Sequence, residues 1–567
     1  MAAGREIVTL QFGCYSNFIG AHWWNLQVSV MFCRSLTLLP NNKQEAGFEY
    51  NADNPSEINH DVLFREGVTS KGHVTFTPRL LLVDLKGSLG HLRQEGDLYN
   101  HPEDVNPNKV QWPVEKVDVL CTPTVEKNEF INDLESEENV MVNTEAPGSL
   151  PKVYNLDSVT NVWADYLRTR YHPRTVSIIN EYEHNSDTKP FDVFNQGANL
   201  WKTEQFQDDF TDRIRMYAEE CDNMQGFHIL LDGSDGFAGL GTSALEYLED
   251  EYSTKSKLVF PTIPSEFSNT TTFQDSVRLL NLALGFHSLA EHSSLFVPLC
   301  MGSSGWRQPG VPRDFPHLRY NSSLAYHSSA VLAAALDTAT LRYRLKTGMR
   351  TSLSEMTDSL SRLGRRVAVA SLGLPFAMEY DAYLLDTLEQ WEGPLWQTLS
   401  PNCNLENDRI WIQSVVLRGV PKLRLKSVQM QQDRNPAYTC TSVQEMLSLF
   451  LTCCSYATAS HVTSADSPCN VSSPFPQIFS EFVGLDGSVS TQKRPGNIGV
   501  YSVPAIAGLH SCRSVGDMLA ALNMEVRKLQ LKRFHCFCNS GLEEDEYEEC
   551  LNHLALLREC YNEEFDV

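Results

Sequence analysis

Residues 220–252 read ECDNMQGFHILLDGSDGFAGLGTSALEYLEDEY, and the change of period inside them sets the fold class. Gly226–Leu231 is a short apolar run, the length of a buried strand. It runs straight into DGSDGFAGLGTS (Asp232–Ser243), and Ser243–Tyr252 follows as a helix. A strand that ends in a glycine-rich turn and enters a helix presents backbone N–H groups and a positive dipole end to an anion.

The same grammar repeats outward. Arg5–Gln11 predicts a buried strand broken at Gly13, and Ser16–Phe32 continues with helical spacing. Leu80–Leu85 predicts a second apolar strand, ended by Lys86-Gly87. Thr175–Ile179 and Lys257–Ile263 predict two more. Val159–Tyr171 and Glu204–Cys221 predict helices, and FNQGANLW (Phe194–Trp201) a glycine-containing turn. Strands alternating with helices, with glycine turns at strand ends, define an α/β chain with a parallel, doubly wound sheet. Val367–Leu372 opens a second α/β unit, in which Ile410–Arg418 is a strand. The chain finishes in two helices, Val515–Leu531 and Glu543–Tyr561. The domain expectation is 1–345 for the first unit, 346–510 for the second and 511–567 for a C-terminal helical hairpin. The first unit carries an insertion at about 94–190, whose stretch from Gln94 to Pro151 is rich in Pro, Asn and acidic residues.

The 567 residues carry 46 basic and 71 acidic side chains, a formal net charge of −25. That balance argues against nucleic acid as a partner. No apolar run approaches the ~20 residues that span a bilayer. LLLVDL near Leu81 and AVLAAAL near Ala330 are too short, so membrane attachment is expected to be peripheral. The 15 cysteines are scattered, and MAAGREIVTLQFG lacks the pattern of a secretory signal; both point to the reducing cytosol.

Four separated stretches resemble one family in its own order along the chain. REIVTLQFGCYSNFIGAHWW (Arg5–Trp24) is similar to the first strand, loop and helix of tubulin. FTPRLLLVDLKG (Phe76–Gly87) follows tubulin's PRxxLVDLEP. Residues 220–252 follow its CDxLQGF strand, phosphate loop and the helix after it. RFHCFCNSGLEEDEYEECLNHLALLRECYNE (Arg533–Glu563) resembles its two C-terminal helices. The particular forms QGFHIL, DGFAGLG, AEHSSLF, ALDTATLRYRL and SVVLRG resemble the misato family of tubulin-like proteins.

The resemblance implies a tubulin-like fold and a nucleotide cleft, with GTP as its ligand. Gly236, Gly239 and Gly241 correspond to the glycines of the phosphate loop, and Gly13 and Asn17 to the first loop. Asp84 matches a carboxylate near the phosphates and magnesium, and Asn199 an asparagine that reaches the nucleotide. The departures weigh the other way. Cys14 replaces a phosphate-contacting glutamine and Tyr15 a cysteine under the base. Lys86 replaces a carboxylate, and Asp232 and Asp235 bring like charge to the phosphates. His327 falls where an asparagine reads guanine. The loop that supplies a catalytic acid corresponds to Ser352–Gly364, where Glu355 and Asp358 are the only carboxylates. No catalytic residue and no metal ligand is assigned, and the GTPase motifs are degenerate.

By the same resemblance the chain is expected in the cytoplasm and at the mitochondrial outer membrane. It would regulate mitochondrial distribution, morphology and fusion through that membrane's surface or a protein on it. Two alternatives are a polymerising GTPase and a factor that works with tubulin or a cytosolic chaperonin. Three further constellations have simpler readings. His535-Cys536-Phe537-Cys538, with Cys550 and Cys560, is expected to be buried structural thiols rather than a metal site. His292-Ser293-Ser294 lacks the G-x-S-x-G elbow of a hydrolase. EEDEYEE (Glu543–Glu549) is a solvated face and the best docking surface in the chain.

Overall fold

The structure is a computed structural model. It describes residues 5–35, 57–68, 74–94, 125–140, 152–186, 188–267, 270–346, 351–427, 436–455, 457–496 and 498–562. Most of the acid- and proline-rich stretch from Gln94 to Pro151 lies outside the described residues.

Strand β1 (Ile7–Phe12) is the centre of the first sheet. Helix α1 (Cys14–Ser35) follows, then a hairpin, β2 (Phe64–Val68) and β3 (Val74–Pro78), then β4 (Leu80–Lys86). Next come α2 (Glu129–Val140), β5 (Val176–Glu183), α3 (Phe194–Trp201), α4 (Glu204–Glu219), β6 (Gly226–Asp232) and α5 (Gly236–Glu251). Strand β7 (Ser256–Ile263), α6 (Thr272–His292) and two short strands, β8 (Leu295–Phe296) and β9 (Leu299–Cys300), complete the unit. The order is β5-β4-β1-β6-β7-β8, with β9 also on β7, and all pairs are parallel. All six residues of β1 are buried, as a strand covered on both faces requires. Its alternation divides two cores: Ile7 faces one with Leu80 and Leu82, while Val8, Leu10 and Phe12 face the other with Leu81 and Val83.

Helix α7 (Ala325–Ala339) runs between this sheet and the next. Every residue after Ala325 in it is buried, the condition of a helix enclosed on all sides. Beyond α8 (Leu353–Leu360) come β10 (Val369–Gly373), α9 (Leu384–Glu389), β11 (Gln397–Thr398), β12 (Ile410–Arg418), α10 (Val443–Cys454) and β13 (Ala457–Ala465). A small pair, β14 (Cys469–Asn470) and β15 (Ser502–Val503), precedes β16 (Ala505–Cys512). The second sheet has the order β11-β10-β16-β12-β13 and is mixed: only β12 and β13 run parallel. Helices α11 (Ser514–Val526), α12 (His535–Asn539) and α13 (Glu544–Glu559) close the chain, and α11 and α13 pack on α6. Among the described residues no helix is long and apolar enough to cross a membrane.

Two expectations are corrected. Phe194–Trp201 is helix α3, not a turn. Its Gly197 is there for close packing: a Cβ would collide with the Gly236 carbonyl of α5. Val159–Tyr171 is not a helix but a single 3-10 turn at Trp163–Tyr166. The Asp165 carboxylate accepts from Asn161 N and Val162 N at 2.7 and 3.0 Å, which folds the chain back before a helix can propagate. The strand expected at Thr175–Ile179, within the stretch 94–190, is β5 and forms the sheet edge.

Candidate functional site

Strand β1 reaches its carboxyl end at Phe12, and Gly13 takes a φ of +104° before α1 begins. Only glycine suits this position twice over. Its backbone is left-handed, and a Cβ would strike the Asp232 carboxylate. Asp232 ends the neighbouring strand β6 and turns its side chain onto the first turn of α1. Its Oδ2 accepts from Tyr15 N at 2.9 Å. Its Oδ1 accepts from Ser16 N at 2.7 Å, Ser16 Oγ at 2.8 Å and Thr262 Oγ1 at 2.9 Å. The residue is 4% exposed. A carboxylate at a helix N-terminus meets orphan N–H donors and the positive dipole end together.

The second helix entry is treated alike. Asp235 caps α5 by accepting from Phe237 N at 2.9 Å, and Gly236 N donates to Phe191 O at 2.9 Å. Asp84, near the end of β4, is fully buried. Its Oδ2 accepts from Asn17 Nδ2 and from Trp163 Nε1, each at 2.9 Å, and its Oδ1 from Leu85 N at 2.8 Å. Burial pushes the Asp232 carboxyl up to about 6. It raises Asp84 and, reinforced by the Asp232 charge, Asp235. Burial, followed by the fields of Asp84, Asp232 and Asp235, holds the Cys14 thiol well above its ordinary range.

Tyr15 is 6% exposed, and its hydroxyl donates to Ser328 Oγ on α7 at 3.0 Å. His327 accepts from Asn321 N at its Nδ1, so its Nε2 carries the proton directed to Asp157 Oδ1 at 2.9 Å. The structure therefore gathers Gly13, Cys14, Tyr15, Asn17 and Asp84 at one end of the sheet, with Gly236 opening α5 nearby. It uses the remaining glycines otherwise. A Cβ on Gly239 would collide with Phe194 O of α3, and Gly241 packs on Leu231 and Phe12. Asn199 is exposed and donates to Ser540 O at 3.0 Å in the C-terminal region. Lys86 is exposed. Glu355 forms a capping box with Ser352 at the start of α8, and Asp358 is exposed. Of the thiols expected in the core, Cys550 is buried but Cys538 is exposed.

Four backbone donors at the two helix entries, Tyr15 N, Ser16 N, Gly236 N and Phe237 N, already serve acceptors of this chain. A phosphate placed there would face the buried carboxylates of Asp84 and Asp232, the half-buried one of Asp235 and no free donor among these four, and the residues as arranged do not fit one. Ser16, Thr262, Trp163 and Ser328 were not legible as site residues, because hydroxyls and an indole carry no phosphate-loop signature. The Asp232–Asp235 pair was legible, but as repulsion rather than as an internal ligand. Trp163→Phe removes one of three donors from buried Asp84 while keeping most of the ring. Stability should fall by about 1.5–3 kcal/mol, the range for a hydrogen bond to a charged group, as read from thermal or urea unfolding.

A parallel sheet with helix-entry glycines at its carboxyl edge, an interposed buried helix and a second mixed sheet define a tubulin-like protein. A family model described as a tubulin domain matches residues 153–345, and a misato segment II tubulin-like domain model matches 5–36 and 41–136. The protein misato homolog 1 of Danio rerio is 36% identical over 597 aligned residues, covering 99% of this chain and 97% of its own. The Homo sapiens protein of that name is 34% identical, with 99% of each chain covered. Protein misato of Drosophila melanogaster is 33% identical, with 98% of each covered. The chain belongs to the misato family.

Proposed function

We propose that this chain is a non-catalytic, tubulin-like scaffold that regulates mitochondrial distribution, morphology and fusion. It would work from the cytoplasm and attach peripherally to the mitochondrial outer membrane or to a protein on it. Membership of the misato family supports the mitochondrial role. The absence, among the described residues, of a helix able to cross a membrane is compatible with peripheral attachment. The non-catalytic part rests on one observation: the Asp232 carboxylate takes the helix-entry donors that would otherwise grip a phosphate. A nucleotide would have to displace a satisfied buried charge before gaining any contact. In place of nucleotide-driven assembly, such a scaffold offers a fixed tubulin-shaped surface. Tubulin and a cytosolic chaperonin are partners that surface would suit.

Purified full-length protein incubated with radiolabelled GTP or ATP should retain neither at high micromolar concentration. Stoichiometric retention of either would overturn the scaffold reading. Cells depleted of the protein should show altered mitochondrial networks, and a carbonate wash should release the protein from isolated mitochondria. Retention after the wash would contradict peripheral attachment. Co-purification with tubulin or chaperonin subunits, with normal mitochondria on depletion, would move the function to cytosolic assembly.

A further inference from the structure

Away from the cleft, four side chains converge where α6 meets α13. His287 and Glu291 are one helical turn apart on α6 and rise on the same face. His553 comes from α13, and its Nδ1 lies 2.7 Å from Nδ1 of His287, the rings crossing at 85°. Glu291 Oε2 is 3.9 Å from His287 Nε2 and 3.9 Å from Nε2 of His292. One donor atom each from His287, Glu291 and His553 falls within a 4.8 Å span. His292 is held from behind: its Nδ1 is 2.6 Å from Glu249 Oε2 on α5, which directs Nε2 toward Glu291. Imidazole ligands of metals are commonly oriented by a carboxylate on the far nitrogen in this way. A cavity of about 510 Å³ opens beside the cluster and is lined by Glu249, Glu291, His292, Arg366 and His553. Arg366 is held on the cavity wall by the backbone, its Nη1 donating to the carbonyls of Ala290, Glu291 and Ser293.

We propose that His287, Glu291 and His553 bind a divalent transition-metal ion of the zinc class, with His292 Nε2 completing a four-ligand site. Two imidazoles, a carboxylate and a further imidazole suit Zn²⁺ in tetrahedral coordination. Without the ion, the close pair of Nδ1 atoms is held by one shared proton. On binding, that proton passes to Nε2 of His287, on the side of Glu291, so that both rings stay neutral and both Nδ1 lone pairs face the ion; the two nitrogens open from 2.7 Å to about 3.3 Å, the spacing that Zn–N bonds of ~2.0–2.1 Å imply. The ion then staples the C-terminal helices to the helical layer of the first sheet.

The test titrates chelator-treated, full-length protein with Zn²⁺ alone by calorimetry, and with Co²⁺ by absorption. The expected result is one ion per chain, a higher unfolding temperature, and Co²⁺ d–d bands without a thiolate charge-transfer band. His553→Gln and His287→Gln should abolish binding. Glu249→Gln should weaken it about 10–100-fold, the usual effect of removing an outer partner. In chelator, His553→Gln should unfold within a few degrees of the parent, which separates loss of the site from loss of the fold. Cys536→Ser/Cys538→Ser should bind as the parent does. No binding by the parent, retention in His553→Gln, or loss in the double cysteine variant would each overturn the proposal.

Discussion

Asp337→Ala should lower the unfolding midpoint by about 10 °C. Asp337 sits on α7 at 3% exposure, and its two oxygens are divided between two guanidiniums. Oδ1 accepts from both Nη1 and Nη2 of Arg344 at 3.0 Å, and Oδ2 from Nη1 of Arg418 at 2.6 Å. Both arginines are 1% exposed. Arg344 also donates to Thr340 Oγ1 at 2.9 Å, and Arg418 to Pro468 O at 2.9 Å. Burial alone would raise the Asp337 carboxyl, but the two cations outweigh it and hold it below its ordinary range. Removing the carboxylate leaves two buried cations without a counter-charge, which costs about 3–5 kcal/mol. For a unit of 150–250 residues that corresponds to roughly 2–4 °C per kcal/mol. Arg418 belongs to β12 of the second sheet and Asp337 to the helix between the sheets, so the network ties the two units together. The variant should also broaden or split the transition. Circular dichroism and tryptophan fluorescence followed together on one sample read both effects. A shift under about 2 °C with a single sharp transition would mean the charges find water when the carboxylate is lost.

Much of the architecture was legible because it is written in local period. The bounds of β12 were read as Ile410–Arg418, and the structure has the same bounds. Strands β1, β4, β6 and β7 were read within two residues of their ends, since short, mostly apolar runs of strand length have few other uses. The failures share a cause: each depends on what stands opposite in space. Gly197 looks like a turn until the backbone of α5 is placed against it. Asn199 matches a nucleotide contact by position, yet its amide serves Ser540 in the C-terminal region. Trp163 lies in a stretch read as inserted, and its indole is nonetheless a donor to the buried carboxylate of β4. Asp232 is the instructive case. Its charge was read from sequence, but the sign of its effect depends on the donors it meets. Seen alone it repels a phosphate, whereas in the fold it stands in for one.

That substitution can be tested by emptying it. Asp232→Ala leaves the N–H groups of Tyr15 and Ser16 without their acceptor, while the Ser16 and Thr262 hydroxyls keep each other at 3.0 Å and Thr262 keeps Leu231 O at 3.3 Å. Loss of a helix cap costs about 0.5–2 kcal/mol, and each unsatisfied buried donor about 1–3 kcal/mol. A fall of about 3–4 kcal/mol is expected at pH 7. The cost should depend on pH in an unusual direction. In the folded chain the Asp232 carboxyl lies at about 6, above its ordinary range, so the folded state holds a proton that the unfolded state releases. The proton-linked part of its contribution is complete below about pH 4 and is lost as pH rises through about 6, by roughly 1.4 kcal/mol per unit, which leaves the hydrogen-bonded part at pH 7. The stability gap between parent and Asp232→Ala should therefore widen from pH 7 to pH 5. Asp235 should return toward its ordinary range in the variant, because the Asp232 charge helps to raise it. The vacated space is the size of one carboxylate. Tens of millimolar formate should restore part of the lost stability, while chloride at equal ionic strength should not. Rescue by formate alone would identify the helix entry as an anion site that the chain fills with its own side chain. If formate and chloride act alike, the Asp232 carboxylate is only a cap and the phosphate analogy fails. If GTP, rather than formate, restores the variant, the cleft still accepts nucleotide and Asp232 is the residue that keeps it out.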